Sequence, residues 1–216
     1  MVRDSRDRGE TATQILDVAE AQVQVRGFNA VSYADVAAEL KITTAALHYH
    51  FPGKAELGEA LMDRYASRFA EALAAVESRI QDAPGRLDAY VGLYLDVLRM
   101  KKMCLCGMLA AEYQTLPAPM QETVLRFFAE NEEWLTRVLE QGSEEGTLAF
   151  EGSPSDVARM IVSSLEGAML VARPFGDISR FQAVADQVLA GVKGTSHEPS
   201  NKRVGSKSER RTRVTR

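Results

Sequence analysis

The chain has 216 residues, is 45% hydrophobic and 26% charged, and carries a formal net charge of −4. This composition fits a soluble globular protein of one or two domains and excludes a low-complexity or fibrous chain. With no run of about 18 apolar residues no membrane-spanning helix is expected, and two cysteines, Cys104 and Cys106, exclude a scaffold stapled by disulfides.

Residues 1–10 (MVRDSRDRGE) alternate basic and acidic side chains and lack the apolar core of a signal peptide, so a cytoplasmic protein with a disordered N-terminal arm is expected. Thr11 or Thr13 can open a first helix, in which Ile15, Leu16, Ala19 and Val23 recur at helical spacing. Gly27 is a natural stop, because glycine accepts the left-handed cap conformation. Phe28 then plugs a small core.

Ser32 and Asp35 stand at the spacing of a capping box, with the shorter Asp in place of the usual Glu or Gln. Val36, Ala37 and Leu40 give the helix after them one apolar face. Lys41-Ile42-Thr43 reads as a turn, and Thr43 or Thr44 can cap a second short helix that Pro52-Gly53 ends. This is a helix-turn-helix pattern. Small residues at the start of the second helix would let it enter a major groove closely, with Leu47 anchoring it from behind. The candidate DNA contacts are Thr43, Thr44, Ala45, Ala46, His48, Tyr49 and His50, with Lys54 behind them; Tyr33 is either core or DNA-facing. A threonine can donate or accept, and its methyl can meet a thymine methyl.

The run from Ile42 to Leu57, together with Gly27-Phe28 and Ser32-x-x-Asp35-Val36-Ala37, resembles the TetR family of transcriptional repressors over roughly residues 11–57. The resemblance supports phosphate contacts from Tyr49, His50 and Lys54 at matching positions. Two positions depart from the family pattern: Lys41 stands where glycine is usual in the turn, and His48 where tyrosine is common. The first asks a non-glycine residue to adopt a left-handed turn.

From Lys54 a long helix is expected. Leu57, Leu61, Tyr65, Phe69, Leu73, Val76 and Ile80 follow at steps of three or four, until Pro84-Gly85 breaks the chain. A second amphipathic helix runs through Leu87 to Leu98, and Lys101-Lys102 interrupts it. MCLCGMLAAEYQTLP is apolar nearly all round and reads as one buried helix. Further helices follow from Met120 to near Gly142, from Val157 to Val171, and from about Asp177 to Val192, with GTLAFEG as a possible extended piece between them. The reading is all-α with about nine helices. It divides into an arm (1–10), a helix-turn-helix domain (11–53), a helical effector-binding and dimerisation body (54–193) and a disordered basic tail (194–216). Residues 195–216 hold seven Lys or Arg against two Glu, whereas residues 1–54 hold six against seven acids. DNA binding therefore rests on local placement rather than on a broad basic field.

The three histidines lie at positions 48, 50 and 197, so the body has none. That removes a histidine-based metal or triad site there and argues against the rival reading, an all-α enzyme; no cofactor or metal is expected. Tyr90, Tyr94, Met100, Met108, Tyr113, Phe127, Phe128 and Trp134 come from consecutive body helices and are either packed core or the lining of an adaptable apolar pocket. The resemblance implies the pocket, because TetR members usually bind small effectors in the body. Glu112 would then be the group best able to orient a ligand. On one helix, Cys104 and Cys106 would point about 200° apart, so that they could neither bridge nor share a metal; two small buried residues or one reactive thiol remain open. Ser164, Gly167 and Ala168 allow close helix contact, and Phe181, Val184 and Val188 form an apolar stripe, so the last two helices are the expected homodimer face, an arrangement that the resemblance also implies. The expected partners are thus double-stranded DNA, a small effector and a second copy of the chain, with no membrane.

Overall fold

The computed structural model describes residues 2–193, with side chains described from Gly9 onward. Among them are nine α-helices, two short 3-10 turns and no strand, and no helix is long and apolar enough to cross a membrane. The tail 194–216 lies outside the described residues.

The head is built on helix α1 (Val2–Arg26), which takes in residues 2–10 of the stretch read above as an arm. The sequence places Arg3 and Asp7, Asp4 and Arg8, and Arg6 and Glu10 four residues apart, a spacing that supports helix. Ile15, Ala19 and Val23 are buried on its inner face, and Gly27 closes it at φ +86°. Helix α2 (Tyr33–Leu40) opens with the expected capping box: Ser32 Oγ accepts from the Asp35 amide, and the Asp35 carboxylate accepts from the Ser32 amide. Lys41 does adopt the left-handed conformation, at φ 56° and ψ 38°, and Ile42 packs against the core as α3 (Thr44–His50) begins.

Helix α4 (Lys54–Arg79) has 26 residues and is therefore about 39 Å long. It leaves the head and enters a body made of α5 (Ala83–Arg99), α6 (Leu105–Ala111), α7 (Ala118–Glu144), α8 (Pro154–Ala172) and α9 (Ile178–Lys193). Pro84 and Gly85 do not break the chain: they sit in the first turn of α5, where proline is tolerated, and Asp82 caps that turn by accepting from the Gly85 amide. α8 packs against both α7 and α9, α5 contacts all three, and α4 runs along α7.

The apolar run 103–117 is not one helix. Lys101 turns left-handed at φ 59°, Met103 and Cys104 stay outside the helix, α6 has only seven residues, and a 3-10 turn follows at Tyr113–Thr115. The physical reason is a competing partner. The Met103 amide donates to the Gln24 carbonyl at 3.2 Å, and the Met103 carbonyl accepts from Gln24 Nε2 at 3.0 Å, so both groups pair with α1 instead of with their own helix.

A second tie from body to head lies at the C-terminal end of α6. The Glu112 carboxylate accepts from the amides of Phe28 at 2.7 Å and Asn29 at 3.2 Å, and Asn29 Nδ2 donates to Thr115 Oγ1 at 2.7 Å. Gly27 is required there twice over: its φ is positive, and a Cβ would stand 2.6 Å from Glu112 Oε1. A third tie runs from Arg173, at the end of α8, to the Val25 carbonyl in the last turn of α1.

Candidate nucleic-acid interface

Helix α3 stands on a firm base. Leu47 is fully buried under it and Phe51 closes its end, while Thr43 Oγ1 accepts from the Ala46 amide at 3.1 Å and fixes its start. Tyr33 belongs to this base. Its hydroxyl donates toward the carbonyls of Phe51 at 2.8 Å and Gly53 at 2.5 Å, clamping the turn into α4, and burial with the nearby Glu56 charge pushes its pKa up to about 12.

With Leu47 inward, Thr44, Ala45, His48 and Tyr49 face out, and Ala46 and His50 are half-buried. Tyr49 is 63% exposed, and its ring meets that of His50 edge-on with centroids 5.3 Å apart. His48 Nδ1 lies 3.0 Å from the Pro52 carbonyl, and its ring is 4.6 Å from that of Tyr33, so the imidazole is held at a fixed angle with its other nitrogen available outward. Thr43 is exposed, but its hydroxyl serves the cap.

Lys54, expected among the DNA contacts, is drawn toward the head's own loop. It is half-buried, with its ammonium 4.6 Å from the centre of the Phe28 ring and 3.4 Å from the Asn29 carbonyl. Burial holds its pKa below the ordinary lysine value, with Glu112 and Asp35 acting in the other direction. It braces the loop that Glu112 also holds.

The expected effector residues separate into groups. Tyr90, Tyr94, Phe127 and Trp134 are buried: Tyr90 stacks on Trp134 with centroids 5.6 Å apart, and Tyr94 on Phe181 at 6.4 Å. Tyr90 donates to Asn131 Oδ1 at 3.0 Å, and Asn131 Nδ2 donates to the Phe127 carbonyl at 2.7 Å. Phe128 lies beside Phe127, and Met108 and Tyr113 are half-buried at the edge of the core. Met100 is 59% exposed, and Glu112 is engaged by the head, so neither joins this cluster. Sequence reasoning gave Glu166 no role, because nothing in the sequence brings a partner to it. Both its oxygens and Trp134 Nε1 are buried without a hydrogen-bond partner, and burial raises the Glu166 pKa well above the carboxylate range.

The two thiols also differ from expectation. Cys104 precedes α6 with extended ψ, so the 200° separation does not apply, and the Cys106 thiol and Glu166 carboxyl both bear on the Cys104 sulfur. Burial pushes the Cys104 thiol up, but the neighbouring Cys106 thiol, Glu166 carboxyl, Gly107 amide and Tyr65 hydroxyl outweigh it and bring it down to about 6.

Of the expected dimer residues, Phe181 and Ala168 are buried in the monomer's own core, Ser164 and Val188 are half-buried, and Gly167 and Val184 are exposed. The outer face of α8 and α9 also carries Met160, Leu170, Val171 and Ile178, all exposed.

Residues 15–61 match the family model for bacterial regulatory proteins of the tetR family, and residues 83–188 that for the tetracyclin repressor-like C-terminal domain. A TetR-family transcriptional regulator from Agrobacterium tumefaciens superposes with a TM-score of 0.84 at 31% identity, over 87% of this chain and 100% of that one. The chain belongs to the TetR family. A TetR regulator from Legionella pneumophila is 33% identical, with a TM-score of 0.76, over 83% of this chain and 96% of its own. The HTH-type transcriptional repressor DhaR of Mycobacterium sp. (strain GP1) is 24% identical over 174 residues, which are 77% of this chain and 82% of that protein. This TetR-family chain is thus a DNA-binding transcriptional regulator and not an enzyme; among the described residues no group of histidine, cysteine and carboxylate side chains could hold a metal.

Proposed function

We propose that this TetR-family regulator is a homodimeric repressor that binds a palindromic operator and is released by a small effector. The observation that carries the reading is α3: a helix seated on Leu47 and fixed by Thr43 presents Thr44, Ala45, His48 and Tyr49 outward. Thr44 and Ala45 are short enough to let the helix reach base edges, and His48, Tyr49 and His50 suit the flanking phosphates. The exposed apolar residues on α8 and α9 favour a second copy as partner, and a twofold dimer would read half-sites about one helical turn, roughly 34 Å, apart. Glu166 and Trp134, with buried polar atoms that lack partners beside Tyr90 and Tyr94, favour an effector that enters the aromatic core and offers both a donor and an acceptor.

Selection of genomic DNA on purified protein tests the reading. A twofold-symmetric site is expected, with Thr44→Ala changing preference at one position per half-site and Tyr49→Ala weakening all sequences alike and flattening the salt dependence. Recovery of unsymmetric or random DNA would overturn it.

The environment of Cys104 favours a second reading, a thiol-sensing repressor. Its sulfur lies beside Cys106 and accepts from Tyr65 Oη at 3.6 Å, with a pKa near 6. The Cys104→Ser, Cys106→Ser double variant should keep DNA binding and lose its response to oxidants; a retained response rules this reading out.

A further inference from the structure

A cavity of about 460 Å3 opens where α1 meets the body. Val25 of α1, the end of α5, the Lys101-Lys102 corner and the corner joining α8 to α9 surround it. Its size is that of a small-molecule site, and none of the aromatic core residues line it.

The walls are of two kinds. Val25, Leu98, Ala172 and Ile178 supply apolar surface, while Arg99, Lys101, Lys102 and Arg173 bring four cations against the single carboxylate of Asp177. The nearby carboxylates do not neutralise this set. Asp96 pairs only with Arg99, at 2.8 Å. Asp177 accepts from the Ser179 amide at 2.9 Å and the Ser179 hydroxyl at 2.7 Å, and its remaining contact is with Arg180, outside the cavity. Among the described residues, Lys101, Lys102 and Arg173 have no carboxylate partner. Arg173 donates instead to neutral acceptors, the Val25 carbonyl and, at 3.2 Å, the Met108 sulfur. Lys101 is moreover held at φ 59°, a left-handed conformation that a side chain disfavours. Three cations that have no carboxylate partner among the described residues thus line one apolar-walled space, an arrangement that a bound negative charge would complement.

We propose that this cavity binds an amphiphilic organic anion, its acidic group held by Lys101, Lys102 and Arg173 and its apolar part lying against Val25, Leu98 and Ile178. The site is separate from the aromatic core. Only its consequence for DNA rests on the repressor reading: an anion offers Arg173 a full opposite charge where the Val25 carbonyl offers only a dipole, competes with that carbonyl, and so loosens one of the three ties between head and body.

Calorimetry on the full chain tests the binding apart from DNA, using decanoate, decyl phosphate and decanol as probes. At least one anion is expected to bind saturably, one per chain, with decanol weaker by about tenfold or more and the Lys101→Gln, Lys102→Gln double variant weakened by about tenfold. Neither lysine side chain has a carboxylate partner among the described residues, and a circular dichroism spectrum matching the parent serves as the folding control. A preference between decanoate and decyl phosphate identifies the acidic group. Equal binding of decanol, unchanged affinity in the double variant, or no binding of any probe overturns the proposal. Anisotropy of labelled operator with and without the anion then reads the loosening: an unmoved operator affinity with intact calorimetric binding removes the coupling and leaves the site.

Discussion

Glu112 shows how one side chain can set the relation between two parts of a molecule. Its carboxylate receives two amides of the Phe28–Asn29 loop, 84 and 83 residues away in sequence, and Lys54 braces the same loop from the other side. Replacing Glu112 by Ala leaves those amides without their acceptor and should cost about 1–3 kcal/mol, read as a lowered midpoint in urea. Glu166 makes the opposite case. Burial raises its pKa well above the ordinary value of 4.5, so the folded chain keeps a proton that the unfolded chain gives up. Its effect on stability is therefore most favourable below about pH 4.5 and is lost as pH rises toward the folded value. Glu166→Gln removes the titration, so the variant's melting temperature relative to the parent should climb between pH 5 and pH 8, by about 2–4 °C for each kcal/mol. A constant difference across that range would show that the carboxyl does not titrate on unfolding. Neither role was legible in the sequence, because both depend on which distant element comes to lie against the residue.

At the scale of elements, local chemistry was read well and competition between elements was not. Ser32, Asp35 and Thr43 act as caps because the groups that they satisfy are three residues away, and the sequence contains that whole interaction. The left-handed turn at Lys41 was legible for the same reason, and it carries a prediction. Lys41→Gly removes the Cβ penalty at φ 56° and, less the extra backbone freedom of glycine when unfolded, should stabilise the head by up to about 1 kcal/mol, measured by thermal denaturation. The apolar pattern of residues 103–117 is equally regular, yet Met103 leaves the helix to pair with Gln24. The stripe Phe181-Val184-Val188 likewise reads as one face, but it wraps an edge: Phe181 turns into the core beside Tyr94 while Val184 looks outward. Periodicity gives the angular spacing of a stripe and not the neighbour on each side of it.

For the whole molecule, the all-α architecture followed from helix spacing and the helix-turn-helix run. Of the residues expected at a dimer face, Phe181 and Ala168 face the monomer's interior. The exposed set on α8 and α9, Met160, Leu170, Val171 and Val184, gives the sharper test. Leu170→Glu with Val171→Glu should shift the protein to monomer in sedimentation and weaken operator binding, while leaving helix content unchanged because neither side chain is in the core. A dimer that persists in the double variant would place the interface elsewhere.

The manner in which the head is joined to the body has a kinematic consequence. α4 crosses the junction as a continuous helix, and the α1 end with its following loop is pinned separately through Gln24, Glu112 and Arg173. A body held at one point could swivel in any direction, whereas a body held at two separated points turns only about the line that joins them. The two recognition helices of a dimer would then travel along a single arc, and their separation and their tilt could not be adjusted independently.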